Sequence, residues 1–290
     1  MIDYHLHLWP HGQADIEPTV EELTRYIDVA ATHGVVEVAI TEHLFRFAQT
    51  DKILGDFFKK YPESPMRDLM ERYWKDHAKA DLDQYVEVAL AAKKAGLPVV
   101  VGLEVDYYPG QMDVVKDLLA GYPFDVLLGS VHWINDWPFD HVSDSFVQGH
   151  WDTVGIEHAW EAYTRALEEL SATGAVDVLA HPDLIKVSGR YPKVPEEYFD
   201  RMAQAARDCQ IVAEVSSAGY RKPVAQAYPA PFLLQKFKEY GVQITTASDA
   251  HQAGDSAFRF EELREYVLSA GYCEVSAFRN RKIMMIPISQ

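Results

Sequence analysis

Two histidines near the start of the chain have a spacing that suits metal binding. His5 and His7 lie two positions apart in an apolar run, and His11 follows shortly after Pro10. If the run is a β-strand, alternate side chains point to the same face, so both imidazoles face one way. Imidazole is the commonest metal ligand among side chains. The spacing therefore favours a metal site, although a strand that merely carries histidines is the plain alternative.

Further histidines and carboxylates stand where other apolar runs end. The sequence has 12 His and 44 Asp plus Glu, too few for their presence at or near the end of every run to be expected by chance. With His5, His7 and His11, the candidate metal ligands are His43, Glu104, His132, His181, Asp249 and His251. This set exceeds the capacity of one ion, so we expect two or three divalent ions. Nitrogen and oxygen donors without thiolate suit Zn, Mn or Fe.

The elements that must position these residues alternate along the chain. Apolar, β-branched runs predict strands at 2–7, 35–41, 99–105, 126–131, 176–181, 211–216 and 242–247. Amphipathic segments predict helices at 19–33, 82–94, 112–119, 157–171, 196–207, 231–240 and 261–270. This alternation predicts an α/β fold with parallel strands, and the number of units favours a distorted (β/α)7 TIM-like barrel. Such a barrel gathers the C-terminal ends of its strands at one rim.

We expect a single barrel domain over residues 1–290, with two inserts at about 44–81 and 134–156. Both inserts follow strands on the expected active rim and are rich in aromatic residues. Long ordered loops in that position often form pocket walls, although small local cores would account for most of the aromatics. Residues 273–288 are predicted to form a hairpin.

The composition argues against several classes of function. The net charge of −17 disfavours a nucleic-acid partner, because phosphates would be repelled. No apolar run is long enough to cross a membrane, and we see no signal peptide, so a cytoplasmic location is expected. The two cysteines, Cys209 and Cys273, are expected to be buried thiols. A monomer and a small homo-oligomer both stay open.

Position in the chain decides the expected role of three further residues. Glu42 precedes His43 and is expected to face away from it, whereas Asp106 lies two positions after Glu104 and is either a ligand or an outer partner of one. His77 lies in a helix-like segment and is expected to be a surface or capping residue.

Seven motifs occur in one order along the chain. They are His5-Leu-His7, Thr41-Glu-His43, Gly102-Leu-Glu104-Val-Asp106, Gly129-Ser-Val-His132-Trp, Ala180-His181-Pro-Asp183, Glu214-Val-Ser-Ser-Ala-Gly219 and Ser248-Asp249-Ala-His251. Together they resemble the polymerase-and-histidinol-phosphatase (PHP) superfamily, and within it the stand-alone histidinol-phosphatases. The likeness runs from residue 2 to about residue 260.

The resemblance implies a trinuclear metal site. By motif, His5, His7, Glu104 and Asp249 would hold the first ion, and Glu104 would bridge to a second ion bound by His132 and His181. His11, His43 and His251 would hold the third. Three residues separate His7 from His11, a tighter spacing than is typical of the family, so the third ion is the open point.

The resemblance also implies hydrolysis of L-histidinol phosphate to L-histidinol and phosphate, in histidine biosynthesis, by a metal-activated water. Glu104, Asp249, His132, His181 and Arg221 are the expected catalytic residues. Arg221, Lys186 and Arg190 are candidate phosphate-binding cations, with Asp183, Ser217 and Trp133 as further substrate-binding candidates; Asp183 is also a candidate acid for the leaving group. By position alone, Trp133, Trp137 and Asp140 could receive the amine and imidazole of histidinol.

Other functions stay open. A related phosphoesterase could act on another small phosphate ester, such as a nucleotide or sugar phosphate. A non-catalytic metal-binding protein would bind the ions without hydrolysis. A C–N amidohydrolase also uses a His-x-His strand, but it would usually need a metal-bridging lysine, and Glu104 fills that position here.

Overall fold

Seven parallel strands form the centre of the molecule. The computed structural model describes residues 1–10 and 18–288. The strands of the main sheet are β1 (Asp3–Leu6), β2 (Val38–Ile40), β3 (Val99–Asp106), β4 (Val126–Ser130), β5 (Val178–Leu179), β6 (Val212–Ser216) and β7 (Ile244–Ala247). They are hydrogen-bonded in sequence order, and every pair is parallel. The predicted parallel α/β arrangement is therefore confirmed.

Helices connect and surround these strands. They are α1 (Val20–Thr32), α2 (Ala48–Leu54), α3 (Pro65–His77), α4 (Leu82–Lys94), α5 (Met112–Leu119), α6 (Ser145–Gly149), α7 (Trp151–Val154), α8 (Ile156–Ala172), α9 (Pro195–Asp208), α10 (Pro231–Glu239) and α11 (Phe260–Ser269). The predicted helices all have counterparts here. The sequence did not predict α2, α3, α6 and α7, which lie in or at the edges of the two inserts.

The first and last strands approach each other and nearly close the barrel. A bridge joins Leu6 to Ala250, and Thr246 Oγ1 donates a hydrogen bond to the Ile2 carbonyl at 2.6 Å. The Asp3 carboxylate accepts hydrogen bonds from the backbone and hydroxyl of Ser248 at 2.8 and 2.6 Å. Side chains thus complete the ring where strand pairing is sparse, and the distorted barrel that we predicted is confirmed.

Burial on both faces explains why the strands read as continuous apolar runs. All eight residues of β3 are buried, as expected for a parallel sheet with helices outside and side chains inside. Gly129 in β4 marks a close approach to the surrounding layer. A Cβ at this position would lie 2.6 Å from a Val176 methyl group and 3.1 Å from Leu170 Cδ2.

The two inserts stand together beside the rim. The first contains α2 and α3, and the second contains α6 and α7. Ser64, which caps α3, donates a hydrogen bond to the Asp136 carboxylate of the second insert at 2.9 Å. Phe58 contacts Trp133 edge-on at a centroid distance of 5.5 Å. The buried apolar residues of barrel and inserts form one continuous cluster.

The C-terminal segment forms the predicted hairpin. Its strands β8 (Glu274–Arg279) and β9 (Lys282–Pro287) pair antiparallel. The prediction for the cysteines is wrong, because Cys209 and Cys273 are both exposed. Within the described part of the chain, no helix has the length and apolar character needed to cross a membrane.

Candidate metal centre

Eight of the nine candidate ligands meet at the C-terminal ends of the strands. His5 and Glu104 lie within β1 and β3, and the others follow directly after strand ends. The converging residues are His5, His7, His43, Glu104, His132, His181, Asp249 and His251. His11 lies outside the residues that the structure describes. The predicted convergence is thus observed, whereas the role of these residues as ligands stays a prediction.

Glu104 occupies the middle of the cluster and is fully buried. Its Oε1 lies 3.1 Å from His181 Nε2 and 3.4 Å from His132 Nε2. Its Oε2 lies 2.7 Å from His43 Nδ1 and 3.5 Å from His5 Nε2. One carboxylate therefore faces imidazoles delivered by four other strands, which is the geometry that a bridging ligand requires.

Asp249 forms the opposite side of the cluster. Its Oδ1 lies 3.2 Å from His7 Nε2, 3.6 Å from His251 Nδ1 and 3.9 Å from His5 Nε2. The backbone of Asp249 has a left-handed conformation with a φ of 51°. A non-glycine residue in this region is strained, and such strain concentrates at functional sites.

The donor atoms fit divalent cations. His5 Nε2, His7 Nε2 and Glu104 Oε2 are buried and make no hydrogen bond of acceptable geometry, which is costly for polar atoms removed from water. Four sets of three residues bring their ligand atoms within 4.8 Å of one another: His5/Glu104/His181, His5/His7/Asp249, His7/His43/His251 and His43/Asp106/His132. Bound ions would satisfy these atoms.

Glu214 in β6 supports two residues of the cluster. Its Oε2 lies 2.7 Å from His5 Nδ1, and its Oε1 accepts a hydrogen bond from the His181 backbone N–H at 3.1 Å. Because a carboxylate only accepts, the proton of His5 lies on Nδ1 and its Nε2 lone pair faces the cluster. This is the outer support that metal-binding imidazoles typically have.

Two further carboxylates act in the same way. Asp106 Oδ1 lies 2.6 Å from His132 Nδ1, which is the contact expected of an outer partner of His132. Glu42 Oε1 lies 3.3 Å from His7 Nδ1. The expectation that Glu42 faces away is wrong, because β2 ends at Ile40 and strand alternation no longer governs the residues beyond it.

The electrostatics of the cluster favour positive charge. Burial alone would lower the pKa of His132, but the Glu104 and Asp106 carboxylates outweigh it and raise this pKa to about 10. Burial raises the pKa of Asp106 to about 6. Burial would also raise the pKa of Glu104, yet the facing His132, His43 and His5 hold it well below its usual value. The carboxylates thus create a negative field that suits cations.

A pocket of about 430 Å³ opens onto this cluster. One side is formed by His43, His132, His181, Asp249 and His251. The other side comes from the inserts and from the residue just before the second insert, and it includes Phe45, Tyr73, His77, Trp133, Asp140 and His141. The predicted role of the inserts as pocket walls is confirmed. Of the two placements expected for His77, the surface one is wrong, because this residue is only 8% exposed and lines the pocket. It lies at the C-terminal end of α3 with Nδ1 2.7 Å from the Tyr73 carbonyl oxygen, as a capping residue does.

Three of the predicted substrate contacts do not line this pocket, and their roles stay predictions. Lys186 is fully buried, donates a hydrogen bond to the Ala227 carbonyl at 2.7 Å and lies 2.9 Å from Asp183. Asp183 is equally buried and also accepts from the Ala230 backbone N–H. Arg221 directs Nη2 to the carbonyls of residues 248 and 249 at 2.7 and 2.8 Å. None of these three side chains lines the pocket; each contacts backbone or side-chain groups of the barrel rim.

Two other candidates also lie away from the pocket. Arg190 binds the Gln148 side chain at 3.1 Å and packs over the Trp151 ring. Ser217 is fully buried behind the rim. Their proximity to strand ends in sequence did not determine the direction of their side chains.

The two tryptophans predicted near the substrate lie in different places. Trp133 lines the pocket as expected, whereas Trp137 is 1% exposed and donates its indole N–H to the Val147 carbonyl inside the second insert. The sequence analysis missed Lys222, which lines the pocket. Among the described residues it is the only lysine or arginine that does so.

Comparisons with known proteins agree with this geometry. The family model of the PHP domain matches residues 3–218. The chain is 28% identical to the "Probable histidinol-phosphatase" of Deinococcus radiodurans, over 98% of both chains. It is 25% identical to the histidinol-phosphatase of Bacillus subtilis, covering 91% of this chain and 98% of that one.

A solved structure shares the fold. It is the histidinol phosphate phosphatase of Lactococcus lactis complexed with Zn, L-histidinol and phosphate, and it covers 98% of both chains at 21% identity with a TM-score of 0.65. At this identity the likeness supports the barrel architecture. The family match spans most of the chain and includes Glu104, His132 and His181. The chain therefore belongs to the PHP domain family.

Proposed function

We propose that this protein is a metal-dependent phosphomonoesterase that hydrolyses L-histidinol phosphate to L-histidinol and phosphate. The observation that carries the proposal is the position of Glu104, whose two carboxylate oxygens face imidazoles from several strands below an open pocket. The names of the relatives from Deinococcus radiodurans and Bacillus subtilis support the substrate, as do the Zn, L-histidinol and phosphate in the Lactococcus lactis complex.

The residues that would hold the ions fall into overlapping groups. His5, His7, Glu104 and Asp249 would bind one ion; Glu104, His132 and His181 would bind a second; and His43, His251 and His11 would bind a third. Divalent Zn, Mn or Fe in these positions would neutralise charge on the phosphoryl oxygens and lower the pKa of a nucleophilic water.

The protein itself supplies orientation and charge. Glu214 and Asp106 fix the proton of their partner imidazoles on Nδ1, so that each Nε2 is presented to the cluster in a set direction. Lys222 lines the pocket and is placed to attract a phosphate dianion. The insert walls, including Trp133, restrict the access of bulk water, which strengthens the electrostatic interactions in the site.

We also propose a cytoplasmic location and a small phosphorylated substrate as the partner, with a monomer and a small homo-oligomer both open. A histidinol-phosphatase acts on a soluble biosynthetic intermediate, and a net charge of −17 disfavours nucleic acids.

The test of the metal-bridging role is the variant Glu104→Gln. Replacing one carboxylate oxygen by an amide removes the charge that two ions would share, so we expect lower metal content and at least a hundredfold slower release of phosphate. Bound metal is measured by elemental analysis of protein purified without chelator. Glu196→Gln, an exposed position on α9, is the matched control. Full metal content with unchanged turnover in Glu104→Gln would exclude the bridging role.

The substrate is tested with a panel of phosphate esters. L-histidinol phosphate should give a higher kcat/KM than nucleoside and sugar monophosphates, because the pocket is small and carries carboxylate and imidazole acceptors. A clear preference for one of the other esters would refute the assignment while leaving the phosphatase activity intact.

A further inference from the structure

His77 presents an unused hydrogen-bond acceptor beside the pocket. It is the last residue of α3, and its Nδ1 lies 2.7 Å from the Tyr73 carbonyl oxygen. A carbonyl only accepts, so Nδ1 carries the proton, and in the neutral ring Nε2 is then an acceptor. Burial lowers the pKa of His77 and favours this neutral form. Nε2 is buried and has no protein partner, although His77 lines the pocket.

Asp140 presents a second unused acceptor from the other insert. It lines the same pocket, and its Oδ1 is buried without a hydrogen-bond partner. The Tyr73 ring joins the two insert segments, with centroid distances of 4.1 Å to His77 and 5.1 Å to His141, the neighbour of Asp140. Two buried acceptors without partners, one of them a carboxylate, therefore belong to residues at the insert end of the same pocket.

The ring of Phe45 lies between His77 and the candidate metal centre. The Phe45 ring stacks on the His43 ring with a centroid distance of 5.0 Å, and it contacts the His77 ring edge-on with a centroid distance of 6.3 Å. In L-histidinol phosphate, five bonds separate the phosphorus atom from the imidazole ring, roughly 6 Å when extended. A leaving group of this length can reach from the cluster toward His77.

We propose that His77 and Asp140 form the specificity subsite for the nitrogen-bearing leaving group, with His77 Nε2 accepting an imidazole N–H and Asp140 pairing with the ammonium group. The proposal rests on the proposed function and extends it to residues from both inserts. A buried acceptor that is left unpaired by a ligand without N–H groups discriminates against that ligand. The subsite thus selects phosphomonoesters whose leaving group is a cation with N–H donors.

The experiment compares two substrates in the metal-loaded enzyme. L-Histidinol phosphate carries the donors, and phenyl phosphate does not. His77→Phe keeps an aromatic ring on Tyr73, and Asp140→Asn keeps the size of the side chain. We expect each variant to lower kcat/KM for L-histidinol phosphate about tenfold or more and to leave kcat/KM for phenyl phosphate within about threefold of wild type. The affinity for L-histidinol, measured by calorimetry, should fall in parallel.

A rescue variant and a control sharpen the result. His77→Gln can place an amide oxygen where Nε2 lies, so it should recover most of the preference that His77→Phe loses. Asp152→Asn, an exposed position in the second insert, which also contains Asp140, should match wild type. Retained activity on phenyl phosphate also shows that each variant is folded.

The outcomes separate the two hypotheses. Equal losses on both substrates would mean that His77 and Asp140 serve the metal centre or the fold, and unchanged preference would mean that they contact no leaving group; either result overturns the subsite. A wild-type enzyme without preference for L-histidinol phosphate would instead overturn the proposed function, and the subsite with it.

Discussion

Replacing Glu214 by glutamine tests whether outer carboxylates organise the metal centre. Both carboxylate oxygens of Glu214 accept hydrogen bonds, one from His5 Nδ1 at 2.7 Å and one from the His181 backbone N–H at 3.1 Å. Glutamine offers one acceptor and one NH2 donor. Whichever way its amide is turned, a donor faces a donor, and one buried N–H loses its partner.

The size of the effect follows from this geometry. Leaving one buried donor unsatisfied costs about 1–3 kcal/mol, so the free energy of unfolding should fall by about that amount in denaturant titrations of the metal-free protein. His5 also loses the carboxylate that directs its Nε2. Loss of such an outer partner typically lowers metal affinity about 10- to 100-fold, which competition with a chromogenic chelator measures.

The matched control is Glu239→Gln, which removes the same charge from an exposed residue of α10. Its unfolding and metal affinity should equal those of wild type. If Glu214→Gln also matched wild type in both assays, the carboxylate would have no role in orienting His5, and the reasoning that links strand β6 to the metal centre would be refuted.

Three further outcomes are expected. Asp106→Asn should lower the affinity for the ion at its partner imidazole about 10- to 100-fold, visible as reduced metal content after dialysis against chelator. Gly129→Ala should destabilise the fold by about 1–3 kcal/mol in denaturant titrations, because the new Cβ would lie 2.6 Å from a Val176 methyl group; an unchanged midpoint would contradict the close packing. Lys186→Met should lower the free energy of unfolding by about 3 kcal/mol, because Asp183 would stay buried without its cation. A raised KM with unchanged stability would instead restore the phosphate-binding role of Lys186.

The barrel and the convergence of ligands could be predicted because both depend on short-range patterns. Apolar runs alternate with amphipathic segments, and parallel strands bring their C-terminal ends to one rim whatever the loops do. Strand alternation also placed His5 and His7 on the same face. These rules act on backbone periodicity, which the sequence displays directly.

The outer partners of the histidines and the substrate-binding residues were harder to predict from the sequence. Glu214 lies inside an otherwise apolar strand, and a carboxylate there requires a partner; this signal is present in the sequence and could have identified it. Lys186 and Arg221 also follow strand ends, but the direction of a side chain after a strand depends on tertiary contacts. The inner or outer position of His77 depends on how the first insert folds, which local periodicity does not specify.

The seam between β1 and β7 has a consequence for biosynthesis of the enzyme. Glu214 is synthesised 209 residues after its partner His5, and Asp249 follows later still. The side chains of β1 therefore lack their partners from β6 and β7 until those strands have been made. The proposed ion sites would thus form only after the last barrel strand has been synthesised.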